Sequence, residues 1–200
     1  MASAAPAPLK SAPLQPQDWV RAASARLAQD GIEAVRVEVL ARDLGVSKGS
    51  FYWHFRDREE MLSALLTQWE EQETAWLNAG GGSDCSAAAR WAVFVERGAA
   101  AARSRFEAAL HGWARHDARV ATRVAAIENR RRAFIAEVLE DVGFPRDGAE
   151  SWAEIALLLY LGWLDRSTRD AEFNVSGPGL GEFLSELVLA ASARLPSASR

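Results

Sequence analysis

A single cysteine, Cys85, stands among 200 residues, so no intramolecular disulfide can staple this fold and a reducing compartment suits it. It follows "GGGSD" and reads as an incidental loop residue. Long apolar runs are missing as well. The greasiest stretch, "IALLLYLGWL" from Ile155 to Leu164, is too short to cross a bilayer. The opening "MASAAPAPLKSAPLQPQ" has no apolar core of the kind a secretory signal needs. A cytoplasmic protein with no membrane partner is the expectation. Excess positive charge is lacking too: a net charge of −4 argues against indiscriminate binding to polyanions. Any nucleic-acid site must be local. No nucleophile–base motif, phosphate-cradling glycine loop or metal-ligand spacing is found. His111 and His116 are five residues apart, hence ~140° around a helix, and do not readily grip one metal. Neither enzyme, metal nor cofactor is expected.

What remains is helical periodicity, with no convincing alternating strand. Residues 1–15, rich in Ala, Pro and Ser, read as a flexible arm. "QDWVRAASARLAQDG" buries Trp19, Ala23 and Leu27 and stops at Gly31. A second short helix, "VEVLARDLG", ends at Gly45, and Ser47 can cap a third running to about Phe55. Asp57 and Glu60 then have capping-box spacing before a long helix through roughly Asn78. "AGGGSD" marks the clearest boundary. Five further helices follow near 85–103, 105–115, 117–142, 148–168 and 179–194. Gly143 and Pro145 separate the third and fourth of these, Asp147 and Glu150 repeat the capping-box spacing, and Pro178 suits a first turn. The expectation is an all-α chain of about nine helices, divided into 1–15, a DNA-binding domain over 16–66 and a C-terminal domain over 67–200.

The stretch "GVSKGSFYWHF", Gly45 to Phe55, carries the functional argument. Gly45 suits a positive φ between two helices, and Ala41 is small where they cross. Leu40, Leu44, Val46 and Phe51 hold the angle. This spacing predicts a helix-turn-helix over about 36–55, whose second helix enters the major groove. At ~100° per residue, Phe51 and Phe55 face inward while Gly49 and Trp53 lie almost opposite. Lys48 reaches a guanine edge or a phosphate, and Ser50 offers a small donor and acceptor. Tyr52 and Trp53 pack on the sugar-phosphate backbone, or Trp53 on a thymine methyl. Between Val46 and Arg58, Lys48, Arg56 and Arg58 oppose Asp57 alone, giving a local +2. The bland alternative is a helical hairpin with surface aromatics left over.

"VEVLARDLGVSKGSFYWHFRDREEML", extended upstream through "RLAQDGIEAVR", resembles the N-terminal domain of TetR-type (TetR/AcrR) transcriptional regulators over about residues 16–66. The resemblance implies a three-helix head, a long connecting helix and a C-terminal effector-binding and dimerisation domain. It implies a homodimeric regulator, most often a repressor, on a roughly palindromic double-stranded operator. It carries DNA contacts onto Ser47, Lys48, Gly49, Ser50, Tyr52, Trp53 and His54, and a phosphate contact onto Arg58. The family's second helix often opens with a threonine and a basic residue. Here Arg36, Val37 and Glu38 stand there, so Glu38 would repel phosphate or accept from a cytosine amino group, with Arg36 as compensation.

Beyond residue 70 the residues speak for themselves. Trp76, Trp91, Phe94, Phe106, Trp113 and Phe134 are either plain core or the walls of a cavity for an apolar or aromatic small-molecule effector. Glu107 and His111, one turn apart, pair either inside it or at the surface. "NRRR", Asn129 to Arg132, reads as a solvated face. Trp152, Ile155, Leu159 and Trp163 form one apolar stripe, and Leu180, Leu184, Leu187, Val188 and Ala191 another. The two stripes are either a dimer interface or monomer core. The alternative to ligand control is a DNA-binding regulator governed by protein partners, which a filled, rigid C-terminal core would favour.

Overall fold

The computed structural model describes residues 14–80, 86–103, 105–170, 172–173 and 176–192. The expected N-terminal arm, all but Leu14 and Gln15, and the loop with Cys85 lie outside them. Among the described residues the chain is all helical: nine α-helices and one 3₁₀ turn. None of these helices is long and apolar enough to cross a membrane, and no cluster of three or more metal-ligating side chains occurs.

Helix α1 (Pro16–Asp30) opens where the Asp18 carboxylate accepts from the Gln15 N–H at 2.8 Å. It buries Trp19, Val20, Ala23 and Leu27 and ends at Gly31, whose φ of +81° breaks the helical path. A 3₁₀ turn at Ile32–Ala34 leads to α2 (Val37–Asp43) and α3 (Lys48–Tyr52). Between them Gly45 adopts φ +69°, where a side chain would be strained, and this sets the angle of the helix-turn-helix. α3 is shorter than the spacing predicts. It ends at Tyr52, and one more bonded turn, Phe55 N–H to Phe51 C=O at 3.0 Å, swings Phe55 into the core. Ser47 sits at the N-cap, but its side chain makes no capping bond.

α4 (Arg58–Gly80) opens on Asp57, which accepts from the Glu60 N–H at 2.8 Å. The Glu60 carboxylate reaches one residue further back than a capping box would, to the Arg56 N–H at 2.6 Å. α5 (Ala87–Arg103), α6 (Phe106–Ala114) and α7 (Ala118–Val142) follow, the last ended by Gly143 at φ +110°. In α8 (Arg146–Arg169) Pro145 takes the N-cap position, so Asp147 lies inside the helix and its expected cap does not form. α9 (Gly177–Ser192), with Pro178 in its first turn, is the last helix among the described residues.

Two cores result. The first joins Trp19, Leu27, Leu40, Phe51 and Leu65 to Leu110, Trp113 and Ile127, so α6 and the start of α7 pack directly on the head. Each large side chain buried this fully contributes about 1.5–3 kcal/mol. The second gathers Leu77, Trp91, Phe134, Ile135, Leu139 and Leu184 from α4, α5, α7 and α9, with Ala149 and Ala153 of α8. Helix α9 lies so close to α5 that a Cβ on Gly181 would overlap the Val95 side chain.

Candidate functional site

The outer face of the head is built from α2 and α3. Phe51 is fully buried and meets Trp19 edge-on at 5.2 Å, anchoring α3 by one side. The opposite side is left in solvent: Tyr52 is 61% exposed and Trp53 88%. Gly49 and Lys48 are exposed beside them, and Ser47 with Ser50 complete the surface. His54 is half-buried behind it. The structure thus brings the α3 residues named from the sequence onto one surface.

The basic residues are less free than their spacing implies. Lys48 Nζ donates to Glu38 Oε1 at 2.7 Å, and this bond holds the Glu38 carboxyl below its ordinary range. Glu38 therefore neutralises the lysine of α3 across the turn. Arg36 donates its Nε to the Glu33 carbonyl at 2.9 Å and acts on Glu38 through its charge, the least of the influences that lower that carboxyl. Arg58 donates Nε to the Val35 carbonyl at 2.6 Å and Nη2 to that of Ile32 at 2.9 Å. It pins the turn between α1 and α2 onto α4, a bracing role the sequence reading did not assign.

Inside the body, a narrow cavity of about 40 Å³ separates the α7–α8 pair from α5 and α9. That volume holds about a water or two. Trp76 and Phe94 line it, and Phe134 packs against both, at 6.0 and 5.7 Å between ring centres. Trp91 stacks behind Phe94 at 6.0 Å and donates its Nε1–H to Ser185 at 2.8 Å. Phe106 and Trp113 do not belong to this wall. They pack with the first core instead, because α6 turns those faces toward the head.

Glu107 and His111 do not pair. Glu107 is buried and bonds Arg131, and it also accepts the Tyr160 hydroxyl at 2.7 Å. His111 Nδ1 instead lies 3.6 Å from Glu128. Burial lowers the His111 pKa despite the carboxylates of Glu107 and Glu128. Arg131 corrects the reading of "NRRR" as a solvated face: its neighbours Arg130 and Arg132 are exposed, while it is buried between Glu107 and Glu73. The Arg131 Nη2 to Glu73 distance is 2.6 Å, and Arg97 reaches the other Glu73 oxygen at 2.6 Å. Burial alone would raise Glu73, but Arg131 and Arg97 outweigh it and hold the carboxyl below its usual range. Burial lowers Arg131 and the two carboxylates more than reverse it, so the guanidinium stays charged. Tyr160 is pushed up by burial and by Glu107, which keeps its hydroxyl a donor.

The two proposed interface stripes divide. Trp163, Leu184 and Val188 are buried within the chain, and Trp152 and Leu187 are half-buried. Ile155 and Leu159 are exposed, at 42% and 36%. The side chains of Leu180 and Ala191 lie outside those described. Leu158, 58% exposed, and Phe183, 51%, are larger apolar surfaces that the spacing did not single out.

Comparison with known proteins places this geometry. Residues 20–65 match the family described as bacterial regulatory proteins, tetR family. The chain is 40% identical over 52 residues to the tetracycline repressor protein class A from transposon 1721 of Escherichia coli, covering 26% of this chain and 24% of that protein. It spans about a quarter of the length of the curated relatives it matches. A transcriptional regulator from Rhodococcus superposes with TM-score 0.71 at 22% identity, over 92% of this chain and 100% of that one. A putative transcriptional regulator from Saccharomonospora viridis, solved in complex with choline, gives TM-score 0.74 at 16% identity over 87% and 95%. Residues 20–65 are thus similar in sequence to the head of the tetR family, and the chain as a whole shares its fold with these solved regulators.

Proposed function

We propose that the chain is a cytoplasmic, sequence-specific DNA-binding transcriptional regulator. It acts as a homodimer on a roughly palindromic operator and, as a repressor, is released by a small apolar or aromatic molecule. The carrying observation is the α3 surface, where Tyr52 and Trp53 stand in solvent beside Lys48 while Phe51 on the other side is fully buried. Large rings held outward by a rigid anchor suit packing along a sugar-phosphate backbone, and Lys48 supplies the charge. The outward apolar residues Ile155, Leu158 and Phe183 offer the second copy a surface. Ligand control is supported by the cavity and by the buried charges on its wall, which a merely structural core rarely carries.

One observation favours the other reading, control by a protein partner. The cavity is too tight for a drug-sized molecule, for which several hundred Å³ is usual, unless side chains move. Selection of binding sites from random DNA, repeated with candidate ligands, separates these cases. Enrichment of a palindrome that ligand addition abolishes supports the repressor. A palindrome indifferent to every small molecule leaves the partner-controlled regulator, and no enrichment at all removes DNA recognition.

A further inference from the structure

We infer that the cavity, once side-chain movement widens it beyond its present water-sized space, takes a small apolar molecule carrying one carboxylate, and that Arg97 is the residue that reads the carboxylate. The inference rests on the ligand-controlled reading above and names the chemistry of that ligand. Its ground is a hydrogen-bonded row in which donors and carboxylates alternate, Tyr160, Glu107, Arg131, Glu73, Arg97, all but Glu107 lining the cavity. Each carboxylate oxygen in the row already has a donor. Glu107 takes one bond from Arg131 and one from Tyr160, while Glu73 takes one from Arg131 and one from Arg97. All four acceptor oxygens are partnered.

Not every donor is. Arg97 ends the row, its side chain 36% exposed, and its Nε–H is buried with no partner. Its guanidinium lies over the Trp76 ring at 5.0 Å, fixed in plane at the cavity wall. A buried N–H without an acceptor is costly, and an incoming carboxylate would satisfy it while extending the alternation by one negative charge. Phe94, Leu157, Trp163 and Leu184 surround the rest of the space with apolar atoms. An organic cation meets the reverse situation. It must expel an arginine from Glu73 before it finds a free carboxylate, and the aromatic faces of Trp76 and Tyr160 already lie under Arg97 and Arg131. A neutral molecule offers the Arg97 Nε–H only an uncharged and weaker acceptor. The choline-bound neighbour holds a cation in a similar fold, so the sign of the ligand here is set by these side chains and not by the architecture.

The test uses the full chain and two matched sets of probes. One set is hydrocinnamate, hydrocinnamyl alcohol and hydrocinnamyl amine, and the other is octanoate, octanol and octylamine. Binding is read from tryptophan fluorescence, since Trp76 and Trp163 line the cavity. In at least one set the carboxylate should bind roughly tenfold or more tighter than the alcohol, with the ammonium weakest. Arg97→Gln should erase the difference between carboxylate and alcohol, and Arg97→Lys should retain part of it. Thermal unfolding of both variants checks the fold, and the ranking on the unaltered chain stands even if a variant melts. Equal binding of alcohol and carboxylate, preference for the ammonium, or no carboxylate binding by ~1 mM overturns the inference. So does a carboxylate preference that survives in Arg97→Gln. Operator affinity, measured on a selected DNA, separates the two levels. A carboxylate that binds through Arg97 without releasing DNA upholds this inference and removes the switch. An ammonium ligand that releases DNA upholds the switch and removes this inference.

Discussion

Lys48 on α3 and Glu38 on α2 are joined at 2.7 Å across the turn of the helix-turn-helix, so the recognition surface in the free protein carries its own counter-charge. Binding DNA must exchange that carboxylate for a phosphate or a base edge. Glu38→Gln should therefore raise DNA affinity at low salt. If the freed Lys48 meets a phosphate, the slope of log K against log salt should steepen by about 0.9. Fluorescence anisotropy over a salt series measures both. Weaker binding by the variant would instead mean that Glu38 accepts from DNA, as from a cytosine amino group.

Arg131 is held between two buried carboxylates, and its loss would leave both short of a donor. Arg131→Met should destabilise the chain by about 3–5 kcal/mol. Tyr160→Phe removes one hydrogen bond to a charged group, for a smaller loss of about 1.5–3 kcal/mol. Because both act on Glu107, the double variant should lose less than the two losses summed. Urea denaturation of the three variants checks the magnitudes and the coupling.

His111 sets the pH dependence near neutrality. Its folded pKa lies below the ordinary 6.5 because burial penalises the imidazolium more than Glu107 and Glu128 favour it, while Arg131 and Arg115 add repulsion. The unfolded chain thus binds a proton more readily, and stability must fall as pH drops through 6.5. Glu73 acts lower. Its depressed pKa contributes stability above 4.5 that is lost as pH falls through the folded value. Urea midpoints from about pH 8 to about pH 5 should decline for the unaltered chain and flatten in His111→Gln. An unchanged slope in that variant would assign the decline to another group.

Self-association should be most sensitive, along α8, to Leu158, the most exposed of its large apolar residues. Leu158→Glu places a charge on an outward surface, so it should yield folded monomers with weakened operator binding. Leu184→Glu buries the charge among the second core and should unfold the chain instead. Light scattering with thermal melts distinguishes the two. A monomeric parent chain at micromolar concentration, on and off DNA, would remove the dimer.

The helix order was legible because glycines and aromatic spacing act locally: Gly31, Gly45 and Gly143 end elements by their own backbone, and Phe51 and Phe55 share one face by period alone. The outward Tyr52 and Trp53 followed from the same geometry. The cavity wall was less legible, since it is assembled from four or more helices whose mutual rotation no local spacing reveals. Phe106 and Trp113, grouped by sequence with the candidate cavity residues, pack with the first core instead. Arg131 could have been found: Val120, Val124, Ile127, Arg131, Phe134 and Val138 form one stripe at three- and four-residue steps along α7. Its two arginine neighbours disguised it as part of a charged run. The α8 stripe keeps to one face by period, yet that face is covered unevenly along the helix: Trp152 is half-buried, Ile155 and Leu159 are exposed and Trp163 is buried.

Leu157 and Leu158 are consecutive, one lining the cavity and the other facing solvent, and Leu184 and Phe183 repeat this on α9. At Gly181 α9 packs on α5 with no room for a Cβ. A molecule that widened the space between Leu157 and Leu184 by separating α8 from α9 would carry Leu158 and Phe183 apart as well. Occupancy of the interior and the shape of the outer apolar face would then be coupled. Subunit affinity should then shift when the interior is filled, and by thermodynamic reciprocity a protomer clasped by its twin should fill with altered ease.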